Sequence, residues 1–295
     1  MYKECNLGKC RTYSEVTGDF VPKLMEYYVH PHRYYLAPFK IFGNLYYVGD
    51  KKICCHLIDT GDGLILFDTG YRNASHQLLQ SIYEAGFDPK DIKYIIHTHG
   101  HFDHMGAGDE FRDMFGCKIF MSKVDTDLLR ERPDRAVLEW GPMKFDEVCW
   151  PDVEINDGDH IKLGNTDIHC VLTPGHTLGT LTFFFDVTDG ETTYRVGYMG
   201  GAGFLTIYRE YCKKFGIEED KCTHMFDSIE KVWNEKVDIM LGNHPNQNCS
   251  IEKRMHMIEN PGSNPFINPE SWHIFLTELK TKLTEFVNEG YADSL

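Results

Sequence analysis

Residues 97–106 read His-Thr-His-Gly-His-Phe-Asp-His-Met-Gly, which places four histidines and one aspartate within eight positions. Imidazole and carboxylate together suit zinc and related borderline cations, and a solvated turn has no need of such a composition. Within the block, the pattern H-x-H-x-D-H is His99, His101, Asp103 and His104. His99 and His101 can point to one side and Asp103 and His104 to another, so one loop could feed two metals about 3.5–4 Å apart. The block alone is short of ligands. His176, in Thr173-Pro174-Gly175-His176-Thr177, and His244, in Gly-Asn-His-Pro, each follow an apolar strand-like run. Either would be a plain loop histidine in isolation; beside an incomplete metal block they are the candidates that complete it. Asp68, in Phe-Asp-Thr-Gly, also closes a strand. It either orients a ligand imidazole from behind or is a turn-forming aspartate before glycine.

Such a site needs elements that deliver its residues to one place. Ile92–His97 reads as a short buried strand running into the block, Asp167–Leu172 as the strand before His176, and Val237–Leu241 as the strand before His244. Ile53–Asp59 and Leu64–Asp68 flank Thr60-Gly61-Asp62-Gly63, a hairpin signal. Phe39–Val48, Lys118–Met121, Leu181–Phe185 and Tyr194–Met199 add strands. Helical spacing appears at Leu78, Leu79, Ile82 and Tyr83, with Ser75 as a candidate N-cap. It recurs at Phe111–Phe115, Lys123–Arg130, Leu205–Phe215, Met225–Glu235 and Pro269–Glu289. Strand-rich halves with helices outside predict a layered α/β domain built around two sheets. Residues 1–36, rich in tyrosine and containing Pro22 and Pro31, read as an irregular N-terminal arm, and residues 37–295 as a single domain. Arg132–Pro151 reads as a loop-like insertion.

Composition narrows the functional classes. Lys and Arg total 30 against 45 Asp and Glu, a formal charge of −15, which disfavours a phosphate backbone as partner. No apolar run is long enough to span a bilayer. The opening stretch MYKECNLGKCRTYSEVTGDF has no apolar signal core, so a cytoplasmic protein is expected. The ten cysteines are scattered, which in that setting predicts reduced thiols. Cys5 and Cys10 could together hold a metal or a disulfide, or play a plain structural role.

The sequence resembles the metallo-β-lactamase superfamily of binuclear metallohydrolases. The matching pieces are Asp68-Thr69-Gly70, the block at 99–104, Pro174-Gly175-His176-Thr177 and the late His244. Phe-Gly-Asn-Leu-Tyr-Tyr-Val-Gly at 42–49, Gly-Asn-His-Pro at 242–245 and Asn-Pro-Phe-Ile-Asn-Pro at 264–269 are similar to the third subclass of true metallo-β-lactamases. The resemblance implies a four-layer αββα sandwich. It implies that His99, His101 and His176 hold one zinc and that Asp103, His104 and His244 hold the second, with iron or manganese as alternatives. Most superfamily hydrolases add a bridging aspartate after the strand equivalent to Tyr194–Met199. Here that stretch is Met199-Gly200-Gly201-Ala202-Gly203, as in the third subclass, but without the serine that subclass usually has nearby.

The implied function is hydrolysis by a metal-bound hydroxide, with Asp103 orienting it and passing its proton to the leaving atom. The substrate is expected to be a small molecule with an amide or ester bond, cyclic compounds included. The missing serine predicts weak turnover of common β-lactams. A lactonase or thioesterase is the alternative hydrolase. A di-iron redox protein or a non-catalytic metal-binding protein is the alternative of another class. The redox relatives resemble H-x-E-x-D-H, where this chain has His101. Neither nucleic acid nor membrane is an expected partner, and oligomeric state cannot be read from the sequence. Trp140, Phe145 and Trp150 of the insertion, and Tyr27, Tyr28, Tyr34 and Tyr35 of the arm, either wall the site or pack as satellite core. Asn243, Asn246 and Asn248 either meet substrate or serve as turn residues.

Overall fold

The computed structural model describes residues 9–137, 147–217 and 220–292. Trp140 and Phe145 lie outside them. In chain order the first part runs α1 (Tyr13–Val29), β1 (Phe39–Phe42), β2 (Leu45–Tyr47), β3 (His56–Asp59), β4 (Leu64–Phe67), α2 (Ser75–Glu84), β5 (Ile92–Ile96), α3 (Phe102–Met105), α4 (Gly108–Phe115), β6 (Lys118–Ser122) and α5 (Lys123–Glu131). The second part runs β7 (Val153–Ile155), β8 (His160–Leu163), β9 (Thr166–Leu172), β10 (Leu181–Thr188), β11 (Thr193–Met199), α6 (Arg209–Phe215), α7 (Lys221–Val232), β12 (Ile239–Gly242), α8 (Pro245–Asn248), α9 (Ser250–Glu259) and α10 (Ser271–Asn288).

Strands β1 to β7 form one sheet in sequence order, antiparallel through β4 and parallel from β4 to β7. The second sheet has the order β12-β11-β10-β9-β8. It is antiparallel except for the β11–β12 pair. Alternation along the strands explains the layering. Ile65 and Phe67 of β4 point into the core between the sheets, where they meet Phe183 and Phe185 of β10. Leu64 and Leu66 point the other way, into a core that also holds Leu78, Ile82 and Phe111 from α2 and α4. Phe184 of β10 points outward into a third core with Met225, Ile229, Leu276 and Leu279 from α7 and α10. Three cores between helices, sheet, sheet and helices are the four-layer α/β arrangement.

The N-terminal arm is not irregular: α1 spans Tyr13–Val29 with Pro22 inside it. Pro22 leaves the Gly18 carbonyl without its helical donor, which argued against a helix in the sequence. A capping box offsets that cost. Thr12 Oγ1 accepts from Glu15 N–H at 3.3 Å, and Glu15 Oε2 accepts from Thr12 N–H at 2.9 Å. Leu24 and Tyr27 are buried against the domain. The N-cap of α2 is Ala74, with Ser75 as its first helical residue. Strands β7 and β8 and helices α3, α8 and α9 are additions to the expected elements.

Candidate metal centre

The named site residues all follow the C-terminal ends of strands, β4 and β5 in one sheet and β9 and β12 in the other. Asp68 follows β4. His99 and His101 lie on the turn after β5, and Asp103 and His104 sit on α3, which begins at once. His176 stands on the β9–β10 connection and His244 just after β12. The nitrogens of His99, His101 and His176 that face one another lie within 4.8 Å, as do the ligand atoms of His99, Asp103 and His104. His244 Nε2 is 3.3 Å from His104 Nε2 and 3.7 Å from Asp103 Oδ2, and Asp103 Oδ2 is 3.5 Å from His104 Nε2.

Hydrogen bonds on the outer nitrogens fix which lone pairs face inward. His99 Nδ1 donates to the Gly200 carbonyl at 2.9 Å, and His176 Nδ1 to the Gly203 carbonyl at 2.7 Å. His104 Nδ1 donates to Asp68 Oδ2 at 2.8 Å, and His244 Nδ1 to the Lys52 carbonyl at 2.9 Å. A carbonyl or carboxylate only accepts, so each of these nitrogens carries the ring proton and the other holds a bare lone pair. The inner atoms of His104 and His244 are therefore acceptors facing acceptors, Nε2 against Nε2 at 3.3 Å, and the bare Nε2 of His99 lies 2.9 Å from His101 Nδ1. A cation is a partner that satisfies such a set, and five imidazoles with one carboxylate suit zinc. The residues fit the metals that the sequence pattern implies. Burial pushes the pKa values of His99 and His101 far down, that of His176 to about 3, and that of His244 down as well. Burial opposes charge on His104 too, but Asp103 and Asp68 outweigh it and raise its pKa.

Asp68 is fully buried and adopts φ 57°, a left-handed conformation that aspartate tolerates better than most residues. That geometry lets its carboxylate accept from Thr98 N–H at 2.8 Å and Thr98 Oγ1 at 2.9 Å while it holds His104. Asp125 is a supporting residue that the sequence reading passed over. Its carboxylate accepts from Gly100 N–H at 2.8 Å, Thr177 Oγ1 at 2.8 Å and Gly179 N–H at 2.9 Å. It thereby ties the His99–His101 turn to the loop that carries His176. Burial raises its pKa and those three donors oppose the rise. On the far side of that loop, Lys221 Nζ donates to the His176 carbonyl at 3.1 Å, as does Thr206 Oγ1 at 2.5 Å.

Gly200 and Gly201 after β11 leave no room for a side chain. A Cβ on Gly200 would stand 2.1 Å from the Leu181 carbonyl oxygen, and one on Gly201 would stand 2.9 Å from His176 Cδ2. Asp186 is at the distant hairpin end of β10, paired with Arg195 at 3.2 Å. Asn243 and Asn248 are buried and bond the Gly200 and Met240 carbonyls at 2.7 and 3.2 Å, so they build the loop around His244. Asn246 is the asparagine that lines the cavity. Tyr27 also lines it, while Tyr35 donates to Glu84 elsewhere on the surface. Trp150 is exposed, and its carbonyl accepts from Arg112.

Residues 49–189 match the Metallo-beta-lactamase superfamily, over the stretch that carries Asp68, the histidine block and His176. Over that stretch the chain carries a metallo-beta-lactamase superfamily domain. Its structural neighbours include BJP-1, a subclass B3 metallo-beta-lactamase of Bradyrhizobium japonicum. That likeness has a TM-score of 0.74 and 26% identity, over 88% of this chain and 97% of the other. Among curated superfamily relatives, "Probable polyketide biosynthesis zinc-dependent hydrolase PksB" of Bacillus subtilis is 29% identical over 49% of this chain. The match spans about half, 52%, of that protein's length. Hydroxyacylglutathione hydrolase GloC of Haemophilus influenzae is 27% identical over 75% of this chain and 95% of its own. These three relatives are named as hydrolases. Among the described residues, no helix is long and apolar enough to cross a membrane.

Proposed function

We propose that this chain is a binuclear metal-dependent hydrolase that opens an amide, ester or thioester bond in a small molecule. His99, His101 and His176 hold one cation, and Asp103, His104 and His244 the other, with zinc as the metal. The observation that carries this reading is the set of outer-nitrogen hydrogen bonds, which leaves the inner lone pairs of His99, His104, His176 and His244 converging on one another. Two divalent cations held there would acidify water toward neutral pH and polarise the scissile carbonyl.

The chain's own residues supply position and proton transfer. Asp68 and the Gly200, Gly203 and Lys52 carbonyls fix the imidazole tautomers, so no reorganisation is needed as charge develops. Asp103, partly exposed to the cavity, takes a proton from the attacking water and passes it to the leaving atom. The water oxygen joins the acyl carbon as the bond to the leaving atom breaks, so the products are an acid and the protonated leaving group. The GloC match favours a thioester among these bonds, since acylglutathiones are thioesters, and it covers 95% of that protein. Initial rates on a thioester, a lactone and a β-lactam, with and without prior chelation, test the proposal. Chelator-sensitive, zinc-restored turnover of at least one of them is expected, with the β-lactam slowest. Rates no higher than the uncatalysed reaction across all three would overturn it.

A further inference from the structure

The cavity above the histidines has a volume of about 500 Å³, with His101, Asp103, His176 and His244 at its floor. One wall is α1, which presents Val16, Phe20, Leu24 and Tyr27, residues spaced to share one helical face. This wall lies outside the stretch that matches the superfamily, residues 49–189. It is pinned at both ends. Tyr208 Oη donates to the Arg11 carbonyl at 2.6 Å just before the helix, and Tyr27 Oη donates to Asp50 Oδ2 at 2.5 Å near its end. Facing it are Phe204 and Phe286, whose rings meet at 5.2 Å.

Charge on these walls runs opposite to that of the protein. The chain has 45 acidic and 30 basic residues, yet the described cavity lining includes Lys9, Arg11, Lys23, Lys52 and Lys282 against the single carboxylate Asp103. Arg11 and Lys23 share Asp19 at 2.9 and 3.5 Å, and Lys282 meets Glu285 at 3.0 Å. Both carboxylates stand off the lining, so the cations are what the cavity presents. Contacts also order the wall. His176 bonds Gly203; Phe204 follows it and packs on Phe286; one turn earlier on α10 lies Lys282, whose carbonyl takes the Cys10 thiol at 3.7 Å between Lys9 and Arg11. Along this wall, from His176 outward, the aromatics come first and Lys9, Arg11 and Lys282 last, while Lys52 stands on the His244 side.

We infer that the cavity takes an amphipathic anion: a carbonyl compound whose apolar arm runs between α1 and the Phe204–Phe286 pair to an anionic end at Lys9, Arg11 and Lys282. The scissile position of that carbonyl rests on the hydrolase reading; the binding of the arm and its anionic end does not. The test uses the metal-loaded full chain with p-nitrophenyl esters of four-, eight- and twelve-carbon diacids, each as the free ω-carboxylate, the ω-phosphate analogue and the neutral ω-methyl ester. Water adds to the ester carbonyl and p-nitrophenol leaves. The expected kcat/KM rises about fourfold per added methylene while the arm stays between the walls. An anionic end should outperform the methyl ester by about tenfold or more, with the advantage shrinking at high salt, and the better of the two anions identifies the natural end group. Phe20→Ala should flatten the length dependence, and Lys282→Glu should reduce the anion preference. Equal rates across lengths, or a preference for the neutral ester, would overturn the inference and leave the hydrolase reading standing. Titration calorimetry with the free diacids separates the remaining cases. Binding with the same length and charge dependence but no ester turnover would support the cavity and refute the hydrolase, and no binding of any diacid would overturn the cavity inference.

Discussion

Asp125→Asn should loosen the first ligand set without touching a ligand. The carboxylate accepts three hydrogen bonds, Oδ2 from Gly100 N–H and Thr177 Oγ1 and Oδ1 from Gly179 N–H. Gly100 lies between His99 and His101, and Thr177 and Gly179 follow His176. An asparagine has one acceptor oxygen, and its amide NH₂ would turn a donor toward a donor. One backbone N–H is therefore orphaned in a buried site, at about 1–3 kcal/mol, and the surviving bonds lose their charge assistance. Thr177 Oγ1 limits the loss because it already lies 2.8 Å from Thr180 Oγ1. The sum is about 2–4 kcal/mol of folding stability, readable as a lower urea midpoint of the metal-stripped protein. A supporting contact of this kind also costs about 10- to 100-fold in metal affinity. That loss should fall on the site of His99, His101 and His176, since Asp103, His104 and His244 do not hang on Asp125. Competition with a chromophoric chelator resolves the two affinities. An unchanged midpoint with both affinities intact would refute the clamp.

Three further outcomes follow from particular contacts. His176→Ala should release one metal and abolish turnover, whereas His244→Ala should weaken mainly the other metal; full occupancy and rate in both variants would break the ligand assignment. Gly200→Ala places a Cβ 2.1 Å from the Leu181 carbonyl oxygen and should cost about 3 kcal/mol or more, so an unchanged urea midpoint would contradict the packing. His56 is fully buried between Tyr47 and Tyr198, and burial lowers its pKa from 6.5 to about 3. The native ring stays neutral while the unfolded chain takes up a proton below pH 6.5. Its stability contribution is thus intact above that pH and lost, at about 1 kcal/mol per pH unit, as the pH falls toward 3. His56→Leu should flatten that acid slope, and parallel pH profiles of urea midpoints would contradict it.

The convergence of the H-x-H-x-D-H block with His176 and His244 was legible because chelating residue types stand at short spacing in the block and each later histidine stands where a strand ends. The strands were legible for a related reason: alternation such as Leu64-Ile65-Leu66-Phe67 records two different cores on its two faces. Helix α1 was not, because Pro22 and the tyrosines outweighed the Thr12–Glu15 capping box and the Val16, Phe20, Leu24 spacing. Asp125 was not, because inside Lys123–Glu131 it looks like any solvated helix residue; only the tertiary fold brings Gly100 and Gly179 to its carboxylate. The glycines after β11 read as a missing serine, whereas their cause is the backbone of Leu181 and the ring of His176 pressing on the same space.

In the proposed centre, six side chains from three stretches of the chain, residues 99–104, His176 and His244, hold two cations. Elemental analysis of protein purified without chelator, together with zinc uptake by the stripped chain, tests this arrangement most directly. Close to two bound transition-metal ions per chain are expected, zinc foremost, in two affinity classes that His176→Ala and His244→Ala remove separately. Protein that carries no transition metal and takes up none when zinc is supplied would contradict it.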